Sequence, residues 1–301
     1  MVTTRGTQDI EGIEGIESGV GRTALMVAAA RAIEATRPDS LAHDGFARHF
    51  VRAARASGEW PVHWHDVPGG AANPLWGRLG RYFGLRTRVL DDFLLGAVRA
   101  GAGQVVLLGA GLDSRAFRLA WPAGCPVFEL DRPDVLAFKR QVLDDLGATA
   151  TAARTTVAVD LCADWAGPLR DAGFDPDVPT AWLAEGLLLY LPADAERRLV
   201  STVDQLAAPG SCLAYEVKLG VEHPGGPIYR SAKDQIGVDL TALFDAEPRP
   251  DSAGALRARG WETSVRTPFD FAAEHDADLV PEHQDALASN RWTFAGKPVR
   301  R

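Results

Sequence analysis

An α/β architecture built on a seven-stranded, doubly wound sheet is predicted by three observations. From about residue 100 onward, short apolar runs alternate with helix-like stretches. The first run, "QVVLL", leads into Gly109-Ala110-Gly111. An acidic residue, Asp131, follows 20 positions after Gly111, at the end of the second run. Together these describe a Rossmann-like sheet whose first turn faces a ligand.

Ahead of the sheet, residues 1–19 are acidic and glycine-rich, with a small Ile-Glu-Gly repeat, and are expected to form a flexible tail. Residues 20–100 are expected to form a helical cap over the sheet's ligand edge. Within it, "TALMVAAARAIEA" places Leu25, Ala28, Ala29, Ala32 and Ile33 on one face. "GLRTRVLDDFLLGAV" does the same with Leu85, Val89, Phe93 and Ala97. The intervening "SGEWPVHWHDVPGGAANPLWG" is rich in Trp, Gly and Pro and reads as a loop.

Residues 101–301 are expected to be the sheet domain. Strands are assigned to Gln104–Leu108, Pro126–Leu130, Thr155–Val159, Ala181–Glu185 and Cys212–Val217, with two more in "WETSVRT" and "RWTFAGK". Continuous apolar runs of this length suit parallel strands buried on both faces. The helix "RPDVLAFKRQVLDDLG" opens with Pro133 in its first turn and stops at Gly147. In "LPADAERRLVSTVDQLAAPG", Leu199, Val203 and Leu206 share a stripe before Pro209-Gly210 ends the helix.

Composition narrows the function. Of 301 residues, 46% are hydrophobic and 24% charged, which suits an ordinary globular protein. No apolar run nears the roughly 20 residues that span a bilayer, and the N-terminus lacks a signal peptide's basic start and apolar core. The net charge of −8 and the absence of Lys/Arg clusters argue against nucleic acid and anionic membranes. Cys125, Cys162 and Cys212 are scattered without Cys-x-x-Cys spacing, which fits a reducing cytoplasm and no metal site.

Gly109 and Gly111 let backbone N–H groups approach a ligand at the crevice beyond the first strand, although a tight turn needs such glycines too. Asp131 is placed to accept both ribose hydroxyls, with Glu129 as the neighbouring candidate and a helix cap as the bland alternative. A nicotinamide site would want a third glycine beneath a pyrophosphate. Here Ser114 stands there, preceded by Asp113, whose carboxylate would repel phosphate. The pattern suits a cofactor with cationic groups and no phosphate, such as S-adenosylmethionine. Asp160-Leu161 past the third strand suits adenine, and Glu185-Gly186 at the end of the fourth faces the reactive end.

At these residues the chain resembles the leucine carboxyl methyltransferase family, in its bacterial S-adenosylmethionine-dependent branch. The stretches that carry the resemblance are "GRTALMVAAARAIEA", "LAHDGFARHFV", "LRTRVLDDFL", "QVVLLGAGLDSRAFRL", "VFELDRPDVLAFK", "VAVDL" and "AWLAEGLLLYLP". They run in family order from about residue 20 to 200. The resemblance implies a class I methyltransferase fold, with Gly109 near the cofactor's methionine portion, Asp131 on the ribose and Asp160-Leu161 on the adenine. It also implies that Glu185 lies beside the amino acid end or the acceptor and that Arg86 pairs with the cofactor's carboxylate. Gly45 stands where family members often carry proline. Arg31 is open between the active site and the surface.

The expected reaction is O-methylation of a small-molecule carboxylate or hydroxyl by in-line transfer, with homodimer formation left open. A phenol, with a pKa of about 10, would call for a base, and His223, Glu185 and Tyr190 are the candidates. The alternative is an NAD(P)-dependent short-chain oxidoreductase, suggested by Tyr229 and Lys233 four apart in "YRSAK". A non-catalytic binding module is disfavoured by the intact carboxylates. His63 and His65 are read as loop residues rather than a metal pair, and Trp64 and Trp76 are candidates to line an aromatic acceptor pocket.

Overall fold

The computed structural model describes residues 15–219 and 223–299. Ahead of the sheet the described residues include α1 (Gly19–Glu34), α2 (Ala47–Ala53) and α3 (Gly80–Arg99), the last entered through a π-helical turn at Pro74–Leu79. The first half of the sheet region runs β1 (Gln104–Leu108), α4 (Arg115–Arg118), β2 (Pro126–Asp131), α5 (Pro133–Asp145), β3 (Ala153–Ala158), α6 (Ala166–Asp171) and β4 (Thr180–Ala184). The second half runs α7 (Ala193–Leu206), β5 (Cys212–Lys218), α8 (Pro227–Ile236), α9 (Leu240–Leu243) and α10 (Ser252–Ala258). It closes with β6 (Glu262–Arg266), α11 (Pro268–Glu274) and β7 (Asn290–Gly296).

The strands form one sheet in the order β3-β2-β1-β4-β5-β7-β6. β1 pairs in parallel with β2 on one side, Leu107 opposite Glu129, and with β4 on the other, Leu107 opposite Leu183. The winding therefore reverses at β1, and a crevice opens beyond the strand ends there. β7 is antiparallel to both β5 and β6, a reversal that strand-by-strand reading did not foresee.

Alternation along β1 divides the core. Val105 and Leu107 pack with α1, α3 and α5, while Val106 and Leu108 face Phe128, Trp182 and the Leu199/Val203 stripe of α7. Burial on both faces holds for β1 and β4, whose residues are all buried. It fails for β3 and β6, which lie at the sheet's edges and are largely exposed.

Several boundaries move by one or two residues, β3 to Ala153–Ala158 among them, and two of the shifts bear on the site. β4 ends at Ala184, so Glu185 is the first loop residue, and Gly186 turns the chain at φ 61°. Of the expected tail, residues 1–14 lie outside the described residues, but Ile16 is fully buried, so packing reaches back past residue 19. The cap serves two purposes. One face of α1 from Val20 to Arg31 and the first half of α3 line the crevice, whereas Phe93 in the later part of α3 packs on Phe294 of the sheet. Among the described residues no helix is long and apolar enough to cross a membrane.

Candidate active site

The crevice holds a cavity of about 360 Å³ bounded by the loops after β1, β2, β3 and β4 and by the end of β5. Every residue expected to bind the cofactor lines it: Arg86, Gly109, Gly111, Asp131, Asp160 with Leu161, and Glu185.

The turn after β1 needs its glycines. Gly109 and Gly111 adopt φ of 65° and 43°, where a Cβ is strained. A side chain at Gly109 would also meet Leu187 Cδ1 at 3.0 Å. The Gly111 amide donates to Asp131 Oδ2 at 2.6 Å, which ties the turn to the end of β2. Asp131 Oδ1 accepts from the Arg132 amide at 2.7 Å. Burial pushes the Asp131 carboxyl up, and these two backbone donors counter it only in part. Helix α5 has no side-chain cap, so the bland reading of Asp131 falls. Glu129 is excluded as its rival: it is fully buried, with Lys139 Nζ 2.8 Å and Arg154 Nη2 2.7 Å away. Asp160 lines the cavity, and its Oδ1 accepts from the Cys162 amide at 2.8 Å.

Behind the reactive end lies a charged layer that sequence reasoning only partly found. Arg115, 1% exposed, donates to Asp91 at 2.6 Å, to Glu185 Oε2 at 2.6 Å, and to Asp113. Asp113 is thus no bare carboxylate facing the ligand; Arg115 neutralises it, which weakens its use as an argument against phosphate. Glu185 is also 2.9 Å from Arg86 Nε, and Arg86 donates to Glu216, which accepts from Tyr82 as well. Trp292 Nε1 donates to the Tyr82 hydroxyl at 3.1 Å. Arg31 belongs to the site, not the surface: it is 8% exposed, lines the cavity, pairs with Asp44 at 3.1 Å and donates to the Leu112 carbonyl.

Burial alone would raise the Glu185 carboxyl, but the charges of Arg115, Arg86 and Arg31 overcome it and hold the group far below the usual range. Asp113 behaves likewise, with burial opposed chiefly by Arg115. Burial pushes the Tyr190 phenol up, and its hydroxyl donates to Thr23 Oγ1 at 3.2 Å. Neither Glu185 nor Tyr190 is tuned to take a proton at neutral pH. His223 is exposed and is not brought to the cavity.

The donor set fits S-adenosylmethionine. Glu185 Oε1 and Arg86 Nε are buried and, although adjacent, neither is aligned in a hydrogen bond. An ammonium and a carboxylate on one small amino acid would satisfy such an acceptor and donor.

Comparison with known proteins agrees with this geometry. The family described as leucine carboxyl methyltransferase matches residues 24–204. A Streptomyces coelicolor protein, named for S-adenosyl-L-methionine-dependent methyl transfer, is 60% identical over 288 residues, which span 94% of this chain and 95% of its own. A Saccharopolyspora erythraea protein of the same description is 46% identical over 281 residues, 93% of this chain and 96% of its own. A solved structure of a DUF574 family protein from Streptomyces avermitilis shares the fold, with a TM-score of 0.54 at 15% identity, over 83% of this chain and 96% of that one. Fold and site together define an S-adenosylmethionine-dependent methyltransferase. The chain belongs to the leucine carboxyl methyltransferase family.

The oxidoreductase alternative loses its pair: Tyr229 lines the cavity, but Lys233 is exposed and points to Asp239 at 3.4 Å. Trp64 and Trp76 do not line the cavity; Trp76 packs on Trp60 with centroids 5.9 Å apart, and Trp64 lies under Arg37. His63 and His65 stack on each other in the exposed loop, 5.1 Å apart. Arg115, Glu216, Tyr82 and Phe244 were missed. The sequence signal for Arg115 was its place two residues after Asp113, at the start of the helix that follows the glycine turn; the other three carried none.

Proposed function

We propose that the chain methylates an oxygen of a small molecule, and that this oxygen belongs to a carboxylate before a hydroxyl. S-adenosylmethionine, when bound, supplies a methyl group on an activated sulfonium leaving group. What remains for the protein is alignment and exclusion of water, and positioning alone is worth effective molarities of about 10⁵ M or more.

The observation that carries the reading is the state of Glu185. Pinned by Arg115 and close to Arg86, it is a poor proton acceptor, and Tyr190 is a neutral phenol bonded to Thr23. A carboxylate acceptor arrives already ionised and needs no base. The cavity's 360 Å³ lies near the lower end of ligand pockets, which supports a compact acceptor beside the cofactor. The net charge of −8 supports an acceptor free in solution rather than part of a nucleic acid.

The test uses cofactor labelled on the methyl group and a panel of carboxylic acids and phenols. Methyl esters release labelled methanol in mild base, whereas aryl ethers hold it. Volatile label from acids supports the proposal; base-stable label on phenols alone moves the reaction to hydroxyls, and label on nitrogen overturns it.

A further inference from the structure

One side of the cavity carries the glycine turn, Asp131, Asp160 and the charged layer. The other side is built of rings and aliphatic groups. Phe244 lies between the Tyr190 ring, 6.1 Å away and inclined 40°, and the Tyr229 ring, 6.2 Å away and inclined 70°. All three line the cavity, with Leu240 and Leu287 beside them. Phe244 is half-buried, and Lys218 Nζ lies 5.5 Å from its ring centroid, so the ring is only partly covered by its neighbours.

Phe244 sits on a connection that is anchored rather than loose. The Asp245 amide donates to the Leu189 carbonyl at 3.0 Å. Four residues on, Arg249 donates to the carbonyls of Leu188 and Leu191 at 2.9 and 2.8 Å. These bonds fasten the Phe244 segment to the loop that bears Glu185 and Tyr190. The ring wall and the reactive end therefore keep a fixed relation.

We propose that this ring-lined compartment receives the body of the acceptor, that the body is an aromatic ring, and that Phe244 is the residue selecting it. The proposal rests on reading the cavity as the methyl-transfer site. Three rings at these spacings leave offset and edge positions that a fourth ring can occupy, and an aromatic contact exceeds the area it buries. A saturated body of equal size gains area alone.

Calorimetry on the protein loaded with S-adenosylhomocysteine, with phenylacetate and cyclohexylacetate as probes, tests this directly. The two share a carboxylate and differ in the ring face. Phenylacetate is expected to bind about fivefold more tightly. Phe244→Leu should bring the ratio close to one with S-adenosylhomocysteine affinity unchanged, and Phe244→Trp should keep the preference. Equal affinities in the parent, no binding of either acid, or a preference that survives Phe244→Leu would overturn the proposal. Methyl transfer to the same two acids, measured in separate samples with S-adenosylmethionine as the donor, separates the two readings. A bound, preferred and never esterified phenylacetate sinks the carboxylate reaction and leaves the subsite in place.

Discussion

Arg115 stands 2.6 Å from Glu185 and, through its other contacts, holds Asp113 and Asp91 as well. The three carboxylates come from the β4 loop, the glycine turn and α3. One guanidinium thus ties together three elements that share no sequence neighbourhood. Arg118 shares part of the load by pairing with Asp91 at 2.5 Å.

Arg115→Met should cost about 3–5 kcal/mol, because it leaves buried like charges uncompensated. Urea denaturation measures this directly. A variant whose midpoint matches the parent would remove Arg115 from its place as the hub.

The acid limb of stability should depend on Glu185. Its carboxyl is held below the ordinary value of 4.5, so the folded state binds a proton less readily than the unfolded state. The contribution is complete above pH 4.5 and is lost as pH falls towards the folded value. Asp113 adds to the same window from its ordinary value of 3.8 downwards. Glu185→Gln should be less stable at pH 7 and should flatten the decline between pH 5 and 2. Melting curves across that range would contradict the assignment if variant and parent ran parallel.

Asp131→Asn should separate binding from folding. Burial raises the Asp131 carboxyl above 3.8, so holding its charge costs stability increasingly as pH rises through that region. The amide removes that cost and gives up one of two backbone bonds, leaving the melting temperature at pH 8 little changed. Cofactor affinity should fall at least tenfold, as calorimetry would show. Retained affinity would end the ribose assignment.

Gly109→Ala should cost about 1–2 kcal/mol for its left-handed backbone and also weaken the cofactor. Gly124→Ala is the control. It has φ 76° with nothing within 4 Å, in the turn before β2, and should lose stability without losing affinity.

The transfer rate on a carboxylic acid should be level from pH 6 to 9, since neither Glu185 nor Tyr190 titrates usefully there. A rate rising with slope one across that interval would reveal a base.

The middle of the sheet was legible because β1, β2, β4 and β5 are largely buried apolar runs, whereas β3 and β6 at the edges are not. β1 matches its expected limits, and β2 and β5 extend theirs by one residue, Asp131 and Lys218. The place of Asp131, Asp160 and Glu185 at the crevice was legible for a related reason: each stands at or just past a strand end. The charged layer was not. Tyr82, Arg86 and Glu216 meet across separations of 130 residues and more, and a helical arginine looks alike whether it faces solvent or a buried carboxylate. Trp64 and Trp76 misled because tryptophan in a loop signals burial without saying which cavity it borders. The ring wall formed instead from Tyr190, Tyr229 and Phe244, which only tertiary packing brings together.

β7 enters the sheet last yet lies between β5 and β6, and its Trp292 supplies the hydrogen bond that orients Tyr82. During synthesis the five parallel strands and both glycines are available well before this residue emerges. The contact between Tyr82 and Glu216 therefore gains its Trp292 partner only after the glycine turn and all five parallel strands have been made.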